Sequence, residues 1–293
     1  MTRFPQLLVI YAAVSWGLVG ALSRYLSAAG FSFAEMAFIR CLIAAAGLFG
    51  YLFLKDRNAA KINLRHSWVF LFQGSVGVAL CFIFYFMTAN TVTLSATTIL
   101  LYTAPYMVMA ISAVVYREKI TLQKVGALLL AFSGCVMTVG IIDRSALPLE
   151  GILTGLGAAL CYALYTIFGK AGLEKGYAPV TITAYSYTVA SISLIPLCNF
   201  QTVAAIIKSD NSTLFYLLIF GVFFTLLPYL SYMKGLERLD SGKASIIAFV
   251  EPLTAAAAGL FVFNELLSAI KIAGMCLILL SLIILNLKRT EKL

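Results

Sequence analysis

Leu100-Leu101-Tyr102-Thr103-Ala104-Pro105, followed by Tyr116-Arg117-Glu118, has a second version in the same chain. It is Ile247-Ala248-Phe249-Val250-Glu251-Pro252, followed by Phe263-Asn264-Glu265, 147 positions further on. In each copy a proline sits mid-way along an apolar segment, and a glutamate ends that segment thirteen residues later. A proline inside a helix lacks the N–H that the carbonyl four residues earlier needs, and in a membrane the freed carbonyl must be met by packing or by a water-filled cavity. Paired interruptions at matching places in two halves point to the central site of a transporter.

Composition places the chain in the membrane class. Its 293 residues are 62% hydrophobic and only 11% charged, and the mean hydropathy is +0.98; soluble domains carry about 25% charge. The net charge of +9 is scattered over short loops, which argues against a nucleic-acid face. The cysteines (Cys41, Cys81, Cys135, Cys161, Cys198 and Cys276) lie in apolar segments without a CxxC pair, so no metal, cofactor or disulfide framework is expected. From about Leu7 the first apolar segment has no small-residue cleavage pattern, and it reads as a retained span.

Working outward from the two motifs, apolar segments fall at about 5–28, 32–54, 67–90, 93–116, 121–141, 151–171, 178–199, 212–235, 240–263 and 268–287. The fold class expected is therefore all-α integral membrane, with ten transmembrane helices in two five-helix repeats, 1–145 and 146–293. Five is odd, so the second repeat must enter the membrane inverted, the geometry behind alternating access. Of the 21 Lys and Arg residues, sixteen fall in the loops of one side and three (Arg144, Lys208 and Lys271) on the other. Arg24 and Arg40 lie within spans. The asymmetry puts both termini in the cytoplasm of a multi-pass cell (plasma) membrane protein.

Within this frame a few residues stand out. Glu251 lies near the middle of the ninth span, where an acid costs about 2.5–3.5 kcal/mol on insertion scales. It suits a substrate amine or a coupling proton. Arg40, deep in the second span, is either its partner or an anchor for an anion. Thr98, Tyr102 and Pro105 share a face of the fourth span, and Ser245, Phe249 and Pro252 repeat that registry in the ninth. Trp16 and Tyr165, on the first and sixth spans, offer aromatic faces to a substrate. Pro105, Pro252, Glu118 and Glu265 suit hinge or gating positions. Glycines such as Gly126, Gly134, Gly151 and Gly155 read as helix-packing devices.

Enzyme signatures are absent: the sequence has no HExxH, no Walker GxxxxGK[ST], and a single histidine, His66, in a basic loop. Uphill movement of a solute would then need an ion or a counter-substrate.

Trp16-Gly17, Phe38-Ile39-Arg40 with Ala44 to Ala46, Tyr102-Thr103-Ala104-Pro105 to Glu118, and Glu251-Pro252 to Glu265 together resemble the EamA family of the drug/metabolite transporter superfamily. The resemblance implies a cavity lined by spans one, three, four, six, eight and nine, and secondary transport of small metabolites, often amino-acid export. One residue more than the usual spacing separates Glu265 from Gly274. The expected activity is alternating-access export of a small polar metabolite. Import of an organic cation such as a quaternary amine, and ligand sensing without transport, are the alternatives. Expected partners are a small-molecule substrate, the lipid bilayer and a coupling proton, with no nucleic acid; monomer and homodimer stay open.

Overall fold

The structure is a computed structural model that describes residues 4–140, 147–210, 212–263 and 268–287. Ten of its helices are long and apolar enough to cross a membrane: α1 (Pro5–Ala28), α2 (Phe33–Lys55), α3 (Leu64–Thr91), α4 (Leu94–Val115), α5 (Leu122–Val139), α6 (Leu149–Glu174), α7 (Pro179–Leu197), α8 (Ser212–Leu236), α9 (Ser241–Phe261) and α10 (Ala269–Asn286). They match the apolar segments to within a few residues. A further short helix, Phe200–Ser209, fills what reads in sequence as a loop. Its Phe200 ring packs edge-on against Phe38.

Helix starts are set by local chemistry. Ser32 and Glu35 form a reciprocal capping box on α2. Thr93, Thr121 and Ser268 cap α4, α5 and α10 through their side-chain oxygens. Thr121 and Ser268 are 147 positions apart, so one device starts the last helix of each repeat.

Packing repeats across the halves as well. α1 lies against α8 and α9, while its counterpart α6 lies against α3 and α4. α2 meets α7, α4 meets α9 and α5 meets α10, each helix facing its own equivalent. The two repeats are inverted relative to each other, and these self-paired contacts are what the two-fold relation between them produces. Between lipid-facing helices there is no hydrophobic drive to associate, so close backbone approach carries the packing. A Cβ on Gly134 would come within 2.6 Å of the Gly274 carbonyl oxygen, and one on Gly274 equally close to the Gly134 carbonyl. Gly151 and Gly155 abut Val92 and Leu100, but Gly126 faces open space and is not a packing device.

Two π-helical segments interrupt α3 and α8, at Gln73–Leu80 and Val222–Leu226. The 147-residue offset carries the first onto 220–227, so they are equivalent. Such insertions widen a helix by one residue per turn and often mark functional sites.

Candidate functional site

Both proline motifs break their helices. α4 consists of Leu94–Leu101 and Ala104–Val115, and α9 of Ser241–Ile247 followed by Val250–Phe263. Pro105 cannot donate to the Leu101 carbonyl, nor Pro252 to that of Ala248. Tighter turns form at both breaks. The Thr103 amide and hydroxyl both donate to the Leu100 carbonyl, at 3.1 and 2.7 Å. The Glu251 amide donates to Ala248 at 3.0 Å, which gives that carbonyl a new partner.

At the breaks the two halves touch. Tyr102 and Phe249 stack with ring centroids 5.2 Å apart and planes inclined by 30°. Beside them Leu101, Tyr102, Pro105, Tyr162, Ser245, Ala248 and Glu251 line a cavity with room for about one water molecule. The Glu251 carboxylate faces Tyr102, whose buried hydroxyl lies close to it without a hydrogen bond of good geometry. Glu251 has no ion-pair partner among the described residues. α1 closes one side, because Gly17 lets it approach so near that a Cβ there would stand 2.5 Å from the Glu251 carbonyl oxygen.

An aromatic cluster occupies the neighbouring interior. Trp16 packs at 4.8 Å from Tyr229 and 5.5 Å from Tyr232. Tyr165 lies 5.6 Å and Tyr187 5.2 Å from the same Tyr229 ring. Tyr232 is satisfied by the Thr166 hydroxyl at 2.9 Å. By contrast Trp16 Nε1 and the hydroxyls of Tyr165 and Tyr187 are buried without a hydrogen-bond partner among the described residues.

Arg40 enters this cluster from α2. Its Nε donates to Thr225 Oγ1 at 2.8 Å and its Nη2 to the Phe224 carbonyl at 3.1 Å. The reason lies four residues on: Pro228 has no N–H, so Phe224 lacks a helical donor. The guanidinium supplies one and sits over the rings of Phe220, Phe82 and Tyr229 at 5.1, 5.3 and 6.0 Å. Arg40 and Glu251 feel each other's charge but do not pair. The equivalent π segment of α3 is held differently. Gln73 Nε2 donates to the Tyr165 carbonyl at 3.1 Å, and Ser186 Oγ donates to Gln73 Oε1 at 2.6 Å. So α2 clamps the π segment of α8 with an arginine, and α7 clamps that of α3 with a serine.

Other singled-out residues are engaged locally. Thr98 and Ser245 spend their hydroxyls on their own helices, on the carbonyls of Leu94 (2.8 Å) and Gly242 (2.9 Å). Glu118 lies at the helix ends, where its carboxylate accepts from the amides of Ser241 (2.8 Å) and Gly242 (3.2 Å). It thereby caps α9, whose preceding residue Asp240 makes no side-chain cap and instead pairs with Lys124 at 2.8 Å. Next to it Tyr116 donates to the Ile167 carbonyl at 2.6 Å. Burial and the nearby acids Glu174 and Glu118 push its phenol up. Glu265 lies outside the described residues. Sequence reading missed Gln73, Tyr187 and Tyr229 as site neighbours, and Pro228 was the available signal for the Arg40 contact.

The model of the EamA-like transporter family matches the chain twice, over residues 3–140 and 149–287. An uncharacterized transporter of Archaeoglobus fulgidus is 29% identical over 218 residues, 74% of this chain and 76% of that protein. The uncharacterized transporter YwfM of Bacillus subtilis is 26% identical over 284 residues, 96% and 93% of the two chains. The threonine/homoserine exporter RhtA of Salmonella typhimurium is 33% identical over 142 residues, 47% of this chain and 45% of its own. A solved crystal structure superposes with a TM-score of 0.79 at 14% identity, covering 98% of this chain and 97% of that one. That likeness concerns the fold alone.

Proposed function

The chain belongs to the EamA-like transporter family, a multi-pass membrane transporter with ten spans, and from that premise we propose that it is a secondary transporter exporting a small polar metabolite of the amino-acid class. The single observation that carries this reading is the stack of Tyr102 on Phe249. Equivalent broken helices meet there beside a cavity that holds an acid, Glu251, with no ion-pair partner among the described residues. Exchange of conformation between the inverted halves (1–145 and 146–293) moves the opening from one side to the other. Pro105 and Pro252 permit the bending, and Glu118 fastens one face.

In this reading the protein sits in the plasma membrane with both termini in the cytoplasm, and Glu251 carries the coupling proton. Tyr102, Phe249, Thr98, Ser245, Trp16, Tyr165, Arg40 and Glu251 surround the transport path. The partial likeness to RhtA, named an exporter of threonine and homoserine, supports the amino-acid class and outward direction. Import of a quaternary amine is the weaker reading, because a guanidinium stands in the same interior with no carboxylate paired to it among the described residues. Efflux of labelled amino acids from proteoliposomes tests the proposal. Release above that of protein-free vesicles is expected, and equal release from both contradicts it.

A further inference from the structure

Arg40 is 8% exposed and its two hydrogen bonds end on neutral acceptors, a threonine hydroxyl and a backbone carbonyl. A buried guanidinium normally finds a carboxylate, since an unneutralised charge in a membrane interior is costly. Among the described residues no acid pairs with this one. Around the Tyr229 ring three buried polar groups make no hydrogen bond of good geometry among the described residues: Trp16 Nε1, Tyr165 OH and Tyr187 OH. All three belong to rings packed on Tyr229, over which the guanidinium itself lies. Buried polar groups are nearly always paired, so several unpaired ones about a single ring want an explanation.

Their chemistry is of one kind. An indole N–H can only donate, a guanidinium can only donate, and a phenol donates readily to an anion. Such a set is matched by a compact oxyanion. Glu251 and the unpaired Tyr102 hydroxyl line a separate cavity, and Gly17, the chain neighbour of Trp16, packs on the Glu251 backbone; these two groups are the complement for a cation. A ligand with one carboxylate and one ammonium group would neutralise both buried charges at once.

We propose that Arg40, Trp16, Tyr165 and Tyr187 form a carboxylate subsite around the Tyr229 ring, separate from the Glu251 cavity that takes the ammonium end of the same zwitterionic solute. This rests on the transporter reading above and adds to it the place and chemistry of the substrate's acidic group. Tyr187 is the sharpest member. It is fully buried, and its hydroxyl approaches Tyr229 without a bond of good geometry. Removing that hydroxyl takes no hydrogen bond of good geometry from the empty protein, and from the bound one it takes a hydrogen bond to a charged group.

The experiment is thermal unfolding of the purified full-length protein with each standard amino acid. Each is compared with the primary amine that lacks its carboxyl group, in chloride and in gluconate buffers. At least one amino acid is expected to raise the midpoint in both buffers, with its amine inert. Tyr187→Phe should leave the ligand-free midpoint unchanged or higher and weaken that amino acid about tenfold or more, and Arg40→Gln should abolish its effect. Equal stabilisation by the amine, no response to any amino acid, or unchanged affinity in Tyr187→Phe overturns the subsite. Stabilisation by chloride alone, in competition with the amino acid, assigns the donors to an inorganic anion and overturns it too. Binding with no flux in proteoliposomes would instead sink the transport reading and leave the subsite standing.

Discussion

Tyr102 and Phe249 stack on each other although each is the other's counterpart in the repeat, 147 positions apart. A residue meets its own equivalent only near the axis that relates the halves, so this contact marks that axis. One member carries a hydroxyl and the other does not. The adjoining positions differ more, with Ala104 before the first proline and Glu251 before the second. The fold is symmetric while its chemistry is not.

Replacing Phe249 with leucine removes the ring contact but keeps an apolar side chain. The loss of stability should be about 0.5–1.5 kcal/mol, the value of an aromatic pair, whereas initial transport rates should fall at least tenfold. Parallel melting and flux curves check this. An equal, small loss in both would make the stack ordinary packing.

Arg40→Leu orphans the Phe224 carbonyl, at a cost of about 1–3 kcal/mol for a buried acceptor left unmet. Pro228→Ala returns an N–H four residues after Phe224, so the double variant Arg40→Leu with Pro228→Ala should recover part of the melting temperature. Additive losses in that double-mutant comparison would contradict the role given to Arg40 in the π segment of α8.

Gly17→Ala places a methyl group 2.5 Å from the Glu251 carbonyl oxygen, and α1 must move to admit it. Folded yield or melting temperature should drop, by about 1–3 kcal/mol for overpacking. Gly126→Ala, where nothing lies within 4 Å, is the control and should be neutral or slightly stabilising. Like effects at both positions would mean that the close approach of α1 to α9 is unimportant.

Glu118→Ala removes the cap on α9, with Ser241 and Gly242 amides as its partners. A cap of this kind is worth about 0.5–2 kcal/mol. If it fastens one face closed, a cysteine placed at Ser245 should react faster with a membrane-impermeant maleimide added from that face. Unchanged labelling together with a lowered melting temperature would leave Glu118 a structural cap only.

Much of this architecture could be read from the chain because hydrophobic length and proline position are local signals. The ten spans followed from apolar segments along the whole chain, and the repeat and both helix breaks from Leu100 to Pro105 with its copy from Ile247 to Pro252. The π segments at Gln73 and Val222 leave no such trace, since a one-residue widening changes no periodicity over so short a run. Tyr187 and Tyr229 look like any aromatic in a membrane helix until tertiary packing brings them to Arg40. Gly126 shows the reverse error: its spacing suggests a helix contact, yet the structure leaves it facing open space.

The central claim, that an acid beside the crossing of the two broken helices couples the movement of a small solute, is tested most directly by Glu251→Gln in proteoliposomes loaded with labelled amino acids. An imposed proton gradient should drive efflux against a concentration gradient through the unaltered protein. In Glu251→Gln that uphill efflux should vanish, while exchange of labelled for unlabelled solute persists only at higher solute concentration, because the ammonium end keeps a neutral acceptor in place of its counter-charge. Gradient-driven efflux of the same size through Glu251→Gln would contradict the account.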